Sequence, residues 1–137
     1  MFDVLGDLNP LGILVGFLAL TLLGGLWFAG LFAKAYNRSL GREPGAKPQS
    51  SPLFIAGPPV AALVVTVTSA VLMEALKIDG YGDALLFGLV VGVGYLAANT
   101  VTIAINPNFP RPLFYAAVSG GYNVVGSLIV SLILFAL

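Results

Sequence analysis

Four long apolar segments constrain this chain more than any other feature. They run from about residue 10 to 33, 52 to 76, 84 to 105 and 112 to 137. A helix needs about 20 apolar residues to cross the roughly 30 Å hydrocarbon core of a bilayer. The runs are continuous rather than alternating, so helices are favoured over the strands of a barrel. The sequence predicts an all-α membrane protein, a single domain over residues 1–137 with four transmembrane helices in an antiparallel bundle.

The composition agrees with this fold class and narrows the chemistry. Of the 137 residues, 58% are hydrophobic and 9% are charged, whereas a soluble domain carries about 25% charged residues. The formal net charge is zero, so the total charge gives no sign of a nucleic-acid partner. Cysteine and histidine are absent, which removes disulfides, Cys/His metal sites and histidine general bases. We therefore expect the lipid bilayer as the main partner, no cofactor and no enzymatic activity.

Local signals predict where the helices begin. Asn9 precedes Pro10 and Ser51 precedes Pro52, and each pair combines a capping side chain with a proline suited to the first helical position. Asp83 is the candidate cap of the third helix. In the second segment, Gly57-Pro58-Pro59 either interrupts the helix or marks a later start.

The basic residues predict the orientation of the bundle. All but Lys77 lie in the first and third connections, so the positive-inside rule makes residues 34–51 a cytoplasmic loop and places both termini outside. The residues that set this topology are Lys34, Arg38, Arg42, Lys47 and Arg111. Topology alone accounts for them, although they could also bind anionic headgroups. Gly41 is a suitable stop for a short helical extension of the first segment.

Two stretches of sequence resemble a known family. They are "GGLWFAGLFAKAYNRSLG" (24–41) and "RPLFYAAVSGGYNVVGSLIVSLIL" (111–134), and they resemble the bacterial membrane-protein family known as domain of unknown function 1761. The resemblance implies a small multi-pass protein of the bacterial inner (plasma) membrane and supplies no activity. In that family Gly-Tyr is often followed by histidine, whereas this chain has Asn123, so a histidine-dependent role is not expected.

Regularly placed glycines predict close contact between helices. Glycine lets helix backbones approach closely in membranes. These glycines lie either between helices of one bundle, or at a contact of this chain with a second copy or a larger membrane complex. The candidate helix-packing residues are Gly12, Gly16 and Gly24 in the first segment, Gly88 and Gly92 in the third, and Gly120 and Gly121 in the last.

Small polar residues recur every four positions in the last segment, from Ser119 through Asn123 and Ser127 to Ser131. A serine can return its hydroxyl to a carbonyl of its own helix. An asparagine amide cannot, and leaving it unpaired in hydrocarbon costs several kcal/mol. We therefore expect Asn123 to face protein or water, and the same argument applies to Asn99 in the third segment.

These residues belong to a candidate polar cluster that has two interpretations. The cluster forms either a polar path or ligand pocket, or a set of hydrogen bonds that hold helices together. Its members are Asn99, Thr102, Asn106, Ser119, Tyr122, Asn123 and Ser127. Two short segments, "GGLWFAG" (24–30) and "GVGYLAA" (92–98), also suggest a weak internal repeat of two parallel hairpins.

Two functions follow from these patterns. The first is a structural or accessory protein that assembles through its glycine-rich helix faces. The alternative is a small oligomeric transporter or channel for neutral or amphipathic solutes, whose path is lined by the polar cluster. Proton-coupled carriers place ionisable residues inside the membrane, and no such residue lies near the middle of any segment here.

Overall fold

The computed structural model describes residues 2–47 and 50–137, and four of its helices are long and apolar enough to cross a membrane. They are called here the first, second, third and fourth spans: Pro10–Leu31, Pro52–Ala75, Tyr81–Ala104 and Pro112–Ala136. A short 3-10 helix, Phe2–Gly6, precedes the first span, and a short α-helix, Ala33–Ser39, follows it. The predicted all-helical, four-span architecture is confirmed, and the chain is a multi-pass membrane protein.

Two of the three predicted caps act as expected. The side-chain oxygen of Asn9 accepts from the backbone N–H of Leu11 at 2.9 Å, and Ser51 Oγ accepts from the N–H of Phe54 at 3.3 Å. The prediction for Asp83 is wrong. The third span begins earlier, with Gly80 as its cap and Asp83 inside the first turn, where a carboxylate still favours the positive end of the helix.

The second span is continuous through its two prolines. Pro58 and Pro59 lie inside the helix Pro52–Ala75, so the alternative of a later start is excluded. Each proline lacks an N–H, so a carbonyl one turn earlier loses its helical partner. That weakened turn lies at the start of the span, where Leu53 is 74% exposed.

A π-helical turn interrupts both the first and the third spans. These turns are Leu26–Leu31 and Gly92–Ala97, and they coincide with the two segments of the weak internal repeat. A π-helix bonds residue i to i+5 rather than i+4, as the N–H of Phe32 does to the carbonyl of Trp27 at 2.8 Å. A π turn therefore takes in an additional residue and changes which face the following residues occupy.

The fourth span is the centre of the bundle. It packs along the third and first spans, whereas the second span packs chiefly on the first and less on the fourth and on the 3-10 helix. Its residues Val130 and Ser131 are almost completely buried. At one end of the bundle Asn9 Nδ2 donates to the carbonyl of Leu137 at 2.7 Å, so the first and fourth spans are joined there. We call this the terminal end and the opposite one the loop end.

The seven glycines singled out from the sequence all face another span of the same chain. A Cβ on Gly88 would lie 3.0 Å from Leu128 Cα, and one on Gly92 would lie 3.0 Å from Val124 Cα. The first-span glycines Gly12, Gly16 and Gly24 face residues of the second and fourth spans, while Gly120 faces Ala97 and Gly121 faces Trp27. The contacts of these glycines therefore lie within one bundle.

Candidate functional site

Two cavities meet at Tyr122 and Asn123 of the fourth span. The bundle cavity, of about 250 Å³, takes residues from all four spans and is lined by Leu20, Pro58, Ala61, Ala62, Val65, Leu96, Tyr122, Asn123 and Ser127. The aromatic cavity, of about 230 Å³, is lined by Phe28, Tyr36, Thr100, Ile103, Tyr115, Ser119, Tyr122 and Asn123. Tyr115 lies in the first turn of the fourth span and Ser127 beyond its middle, so the aromatic cavity is nearer the loop end.

Asn123 joins the fourth span to the third. Its Nδ2 donates to Thr100 Oγ1 at 2.7 Å and to the Leu96 carbonyl at 3.4 Å. Thr100 Oγ1 in turn donates to the same carbonyl at 2.8 Å. Leu96 belongs to the π turn of the third span. Asn123 therefore hydrogen-bonds to the third span and also lines both cavities.

Tyr122 joins the fourth span to the first. Its hydroxyl donates to the Leu20 carbonyl at 3.3 Å, and its ring lies 5.1 Å from that of Phe28. A Cβ on Gly24 would lie 3.3 Å from the Tyr122 hydroxyl. The absence of a side chain at Gly24 is therefore what lets this hydroxyl reach the first span.

Trp27 reinforces the same contact from the π turn of the first span. Its Nε1 donates to the Val118 carbonyl at 3.0 Å. Its ring packs against Gly121, where a Cβ would lie 3.4 Å from the nearest ring atom. The neighbouring π-turn residue Phe28 turns its ring to the aromatic cavity. Sequence reasoning did not place Trp27 and Phe28 at this site, although a tryptophan near the end of a span was a usable signal.

The walls of the aromatic cavity are built from rings in contact. Phe28 and Tyr36 meet edge to face at 4.8 Å, and Tyr36 and Tyr115 lie 6.0 Å apart. Burial raises the pKa of the Tyr36 hydroxyl above its ordinary 10.0, and Tyr115 acts in the same direction, while Arg42 opposes it. The Tyr36 hydroxyl is therefore neutral at physiological pH and can serve as a hydrogen-bond donor.

Ser119 brings an unpaired hydroxyl to the aromatic cavity. The residue is 7% exposed, and its Oγ has no hydrogen-bond partner among the described residues. A buried polar group without a partner costs about 1–3 kcal/mol. Because Oγ itself is buried, a molecule in the cavity would remove that cost if the Ser119 side chain turned its hydroxyl towards the cavity.

The structure separates Asn99, Thr102 and Asn106 from the other members of the predicted polar cluster. Asn99 and Thr102 are exposed on the outer face of the third span, and Asn106 forms only local hydrogen bonds, such as that with the N–H of Asn108. Asn99, which was expected to face protein or water, lies on the exposed side of the third span and does not join the cluster within this chain. The additional residue in the π turn Gly92–Ala97 brings Thr100, instead of Asn99, towards Asn123.

The fourth-span members stay together. Ser127 lines the bundle cavity and packs against Gly92, and Ser131 packs against Gly88, with its Oγ donating to the Leu128 carbonyl at 3.0 Å. Neither cavity has an acidic or basic side chain among its lining residues. Within residues 2–47 and 50–137, no group of three or more His, Cys, Asp or Glu could hold a metal ion.

The predicted topology residues gather at the loop end. Lys34, Arg38, Arg42 and Arg111 line one cleft of about 660 Å³, while Lys47 is not among its lining residues. The sequence placed Arg111 in a different connection from the other three. The fold is what brings the two connections together.

Comparison with known proteins places the chain in a family without assigning it a role. No curated protein and no solved structure matches it significantly. The family model described as "Protein of unknown function (DUF1761)" matches residues 11–135, a range that includes every residue lining the bundle and aromatic cavities. The chain therefore belongs to the DUF1761 family, as its sequence resemblance predicted.

Proposed function

We propose that this protein binds a small neutral or amphipathic solute at Tyr122 and Asn123 and passes it across the membrane. The observation that carries the proposal is that these two residues line both cavities, one near the loop end and the other deeper in the bundle. A solute in the aromatic cavity would therefore reach the bundle cavity by passing two side chains. Small movements of Tyr122 would join the two spaces.

The lining of the cavities defines the solute. The polar groups are the Asn123 amide, the hydroxyls of Ser119, Ser127 and Thr100, and the hydroxyls of the lining tyrosines, set among aromatic and aliphatic walls. Without a charged lining residue, an ion would lose its hydration with no compensation, so the solute is uncharged where it binds. Each cavity is smaller than the roughly 300–1,000 Å³ of pockets for drug-sized ligands, so the solute is small.

The path is closed towards the terminal end. Val130 and Thr66 are 1% and 0% exposed, and Gly16 lies between them, with its Cβ position 3.1 Å from Thr66 Cγ2. This layer separates the bundle cavity from the terminal end. The second span supplies Thr66 and is the span least packed on the fourth, so its displacement is the movement that would open the layer.

Solute flux into liposomes tests the path. Asn123→Leu replaces the amide with an apolar side chain of similar size, and we expect it to abolish the flux of small neutral solutes that the parent protein supports. Asn99→Leu makes the same chemical change on the exposed face and should leave the flux intact.

Trp27, the single tryptophan of the chain, lies beside Tyr122, so its fluorescence should report solute binding in the parent protein. Equal flux through the parent and the Asn123→Leu variant would contradict the path.

A second candidate function, assembly with another membrane protein, is favoured by Asn99. Its amide lies on the exposed face of the third span, where contact with hydrocarbon alone costs several kcal/mol. A second copy or a larger complex would cover the Asn99 amide. The protein would then have a structural or accessory role, and its contact surface would be this face instead of the glycine-rich faces. Asn99→Leu should then lower the oligomeric fraction in mild detergent, with Asn123→Leu as the control. A parent protein that is monomeric and captures no membrane partner would contradict this candidate.

We also propose that the loop end faces the cytoplasm, in a bacterial inner membrane, because the basic residues concentrate there. The chain has no native cysteine, so single cysteines can be labelled without background. A cysteine in place of Gly45 should be protected from an impermeant thiol reagent in intact cells, and one in place of Asp79 should react. The reverse pattern would overturn the orientation.

A further inference from the structure

Positive charge at the loop end is gathered into one cleft. Four of its lining residues are cations, and they come from two separate connections of the chain. Glu43 is the one carboxylate among the residues that line it. The positive-inside rule accounts for basic residues in these connections. It does not account for their position in one shared cleft.

Gly41 brings the two connections together. Its φ is +66°, a conformation that favours glycine, and it ends the short helix, with the N–H of Arg42 donating to the Asn37 carbonyl at 3.0 Å. A Cβ on Gly41 would lie 2.9 Å from Pro110 Cγ, so the close approach of this turn to the residue before Arg111 also depends on glycine. The Arg42 guanidinium is held in place by Asn37 Oδ1, at 3.2 Å.

An apolar groove continues from the cleft. Arg38 and Arg111 also line a depression of about 580 Å³, whose other lining residues are Pro112, Leu113 and Phe114. These three form the first turn of the fourth span, and Leu113 is 71% exposed. The charged cleft therefore lies at the level where the fourth span begins, and the groove continues from it over the first turn of that span.

We propose that the cleft and groove bind one anionic phospholipid, with its phosphate between Arg38 and Arg111 and an acyl chain against Leu113 and Phe114. Guanidinium groups match phosphate with paired hydrogen bonds. The fourth span adds the positive end of its helix, since Arg111 makes no side-chain hydrogen bond that caps it. A free phosphate or a soluble anion would use the cleft but not the groove. This site is separate from the solute path and does not depend on it.

Lipid binding to the purified full-length protein tests the site. Native mass spectrometry would compare phosphatidylglycerol with phosphatidylcholine of the same acyl chains. We expect a preference for phosphatidylglycerol that falls about fivefold in Arg38→Gln and in Arg111→Gln. Lys47→Gln removes one positive charge from the same loop as Arg38, outside the lining residues, and should reduce the preference less than twofold. Equal binding of the two lipids to the parent, or an equal loss in Lys47→Gln, would overturn the proposal.

Two further measurements distinguish a lipid from a soluble anion and guard against misfolding. Leu113→Ser should weaken phosphatidylglycerol binding and leave the binding of glycerol phosphate unchanged, whereas inorganic phosphate that competes as strongly as the lipid would overturn the lipid assignment. If a glutamine variant does not fold, Arg38→Lys and Arg111→Lys keep the charge and remove the paired donors. Those variants should still lower the preference measurably, and an unchanged preference in both would contradict the proposed phosphate contact.

Discussion

The fourth span is packed in two different ways along its length. From Val124 to Ser131 it meets the third span through small residues, with Gly92 against the backbone of Val124 and Gly88 against that of Leu128. From Val118 to Asn123 it meets the π turns of its neighbours through aromatic and amide side chains, and two cavities remain. Small residues bring the third and fourth spans into close contact in the terminal half, whereas large side chains at the π turns line the two cavities at Tyr122 and Asn123. The proposed solute path follows the second kind of packing.

The largest effect is expected where the small residues meet. Gly88→Leu would place its Cβ 3.0 Å from Leu128 Cα and Ser127 O, so the two helices would have to separate. We expect destabilisation at or above the upper end of the roughly 1–3 kcal/mol that overpacking costs, measured by unfolding in SDS. Gly94→Leu makes the same substitution in the π turn of the same span, where nothing lies within 4 Å, and is the control. Equal stability of the two variants would contradict the tight packing of this half.

Serine substitutions compare the two halves directly. Ser131→Ala removes a hydroxyl that donates to the Leu128 carbonyl and should cost about 0.5–1.5 kcal/mol. Ser119→Ala removes a buried hydroxyl without a partner among the described residues, so the solute-free protein should lose no stability. Unfolding in SDS followed by Trp27 fluorescence would measure both. A larger loss in Ser119→Ala than in Ser131→Ala would reverse the comparison.

A double-mutant cycle sharpens the description of the loop half. Asn123→Ala and Thr100→Val should show a coupling free energy of about 0.6 kcal/mol, as measured for polar contacts between membrane helices, because Asn123 donates to Thr100 at 2.7 Å. The same cycle between Asn123→Ala and Asn99→Ala should give no coupling. Coupling to Asn99 rather than Thr100 would mean that the third span is rotated from the orientation described.

The smallest effect is a pH dependence at the mouth of the aromatic cavity. Burial raises the pKa of Tyr36 above 10.0 in the folded protein, so unfolding lowers that pKa. The stability contributed by the neutral phenol is complete below pH 10 and is lost as the pH rises through the folded value. Stability measured from pH 8 to 11 should therefore fall less steeply in Tyr36→Phe than in the parent. Identical slopes would contradict the burial of this hydroxyl.

The sequence alone determined the features that depend on neighbouring residues. The number of spans follows from runs of about 20 apolar residues. The caps at Asn9 and Ser51 and the stop at Gly41 follow from side chains or backbone freedom within a few positions. Family membership was also predicted from short stretches of sequence, and the match of the family model to residues 11–135 confirmed it.

Only the tertiary structure decided which residues form the candidate site. In a regular helix, Asn99 would face Asn123. The additional residue of the π turn Gly92–Ala97 instead brings Thr100 to Asn123, whose amide donates to the Thr100 hydroxyl. Such a turn adds a residue without an apolar or polar signal of its own, so the hydropathy pattern does not contain it. Contacts between distant segments, such as Gly41 against Pro110, depend on how complete helices pack. The sequence therefore determined which segments cross the membrane, and packing determined which side chains meet.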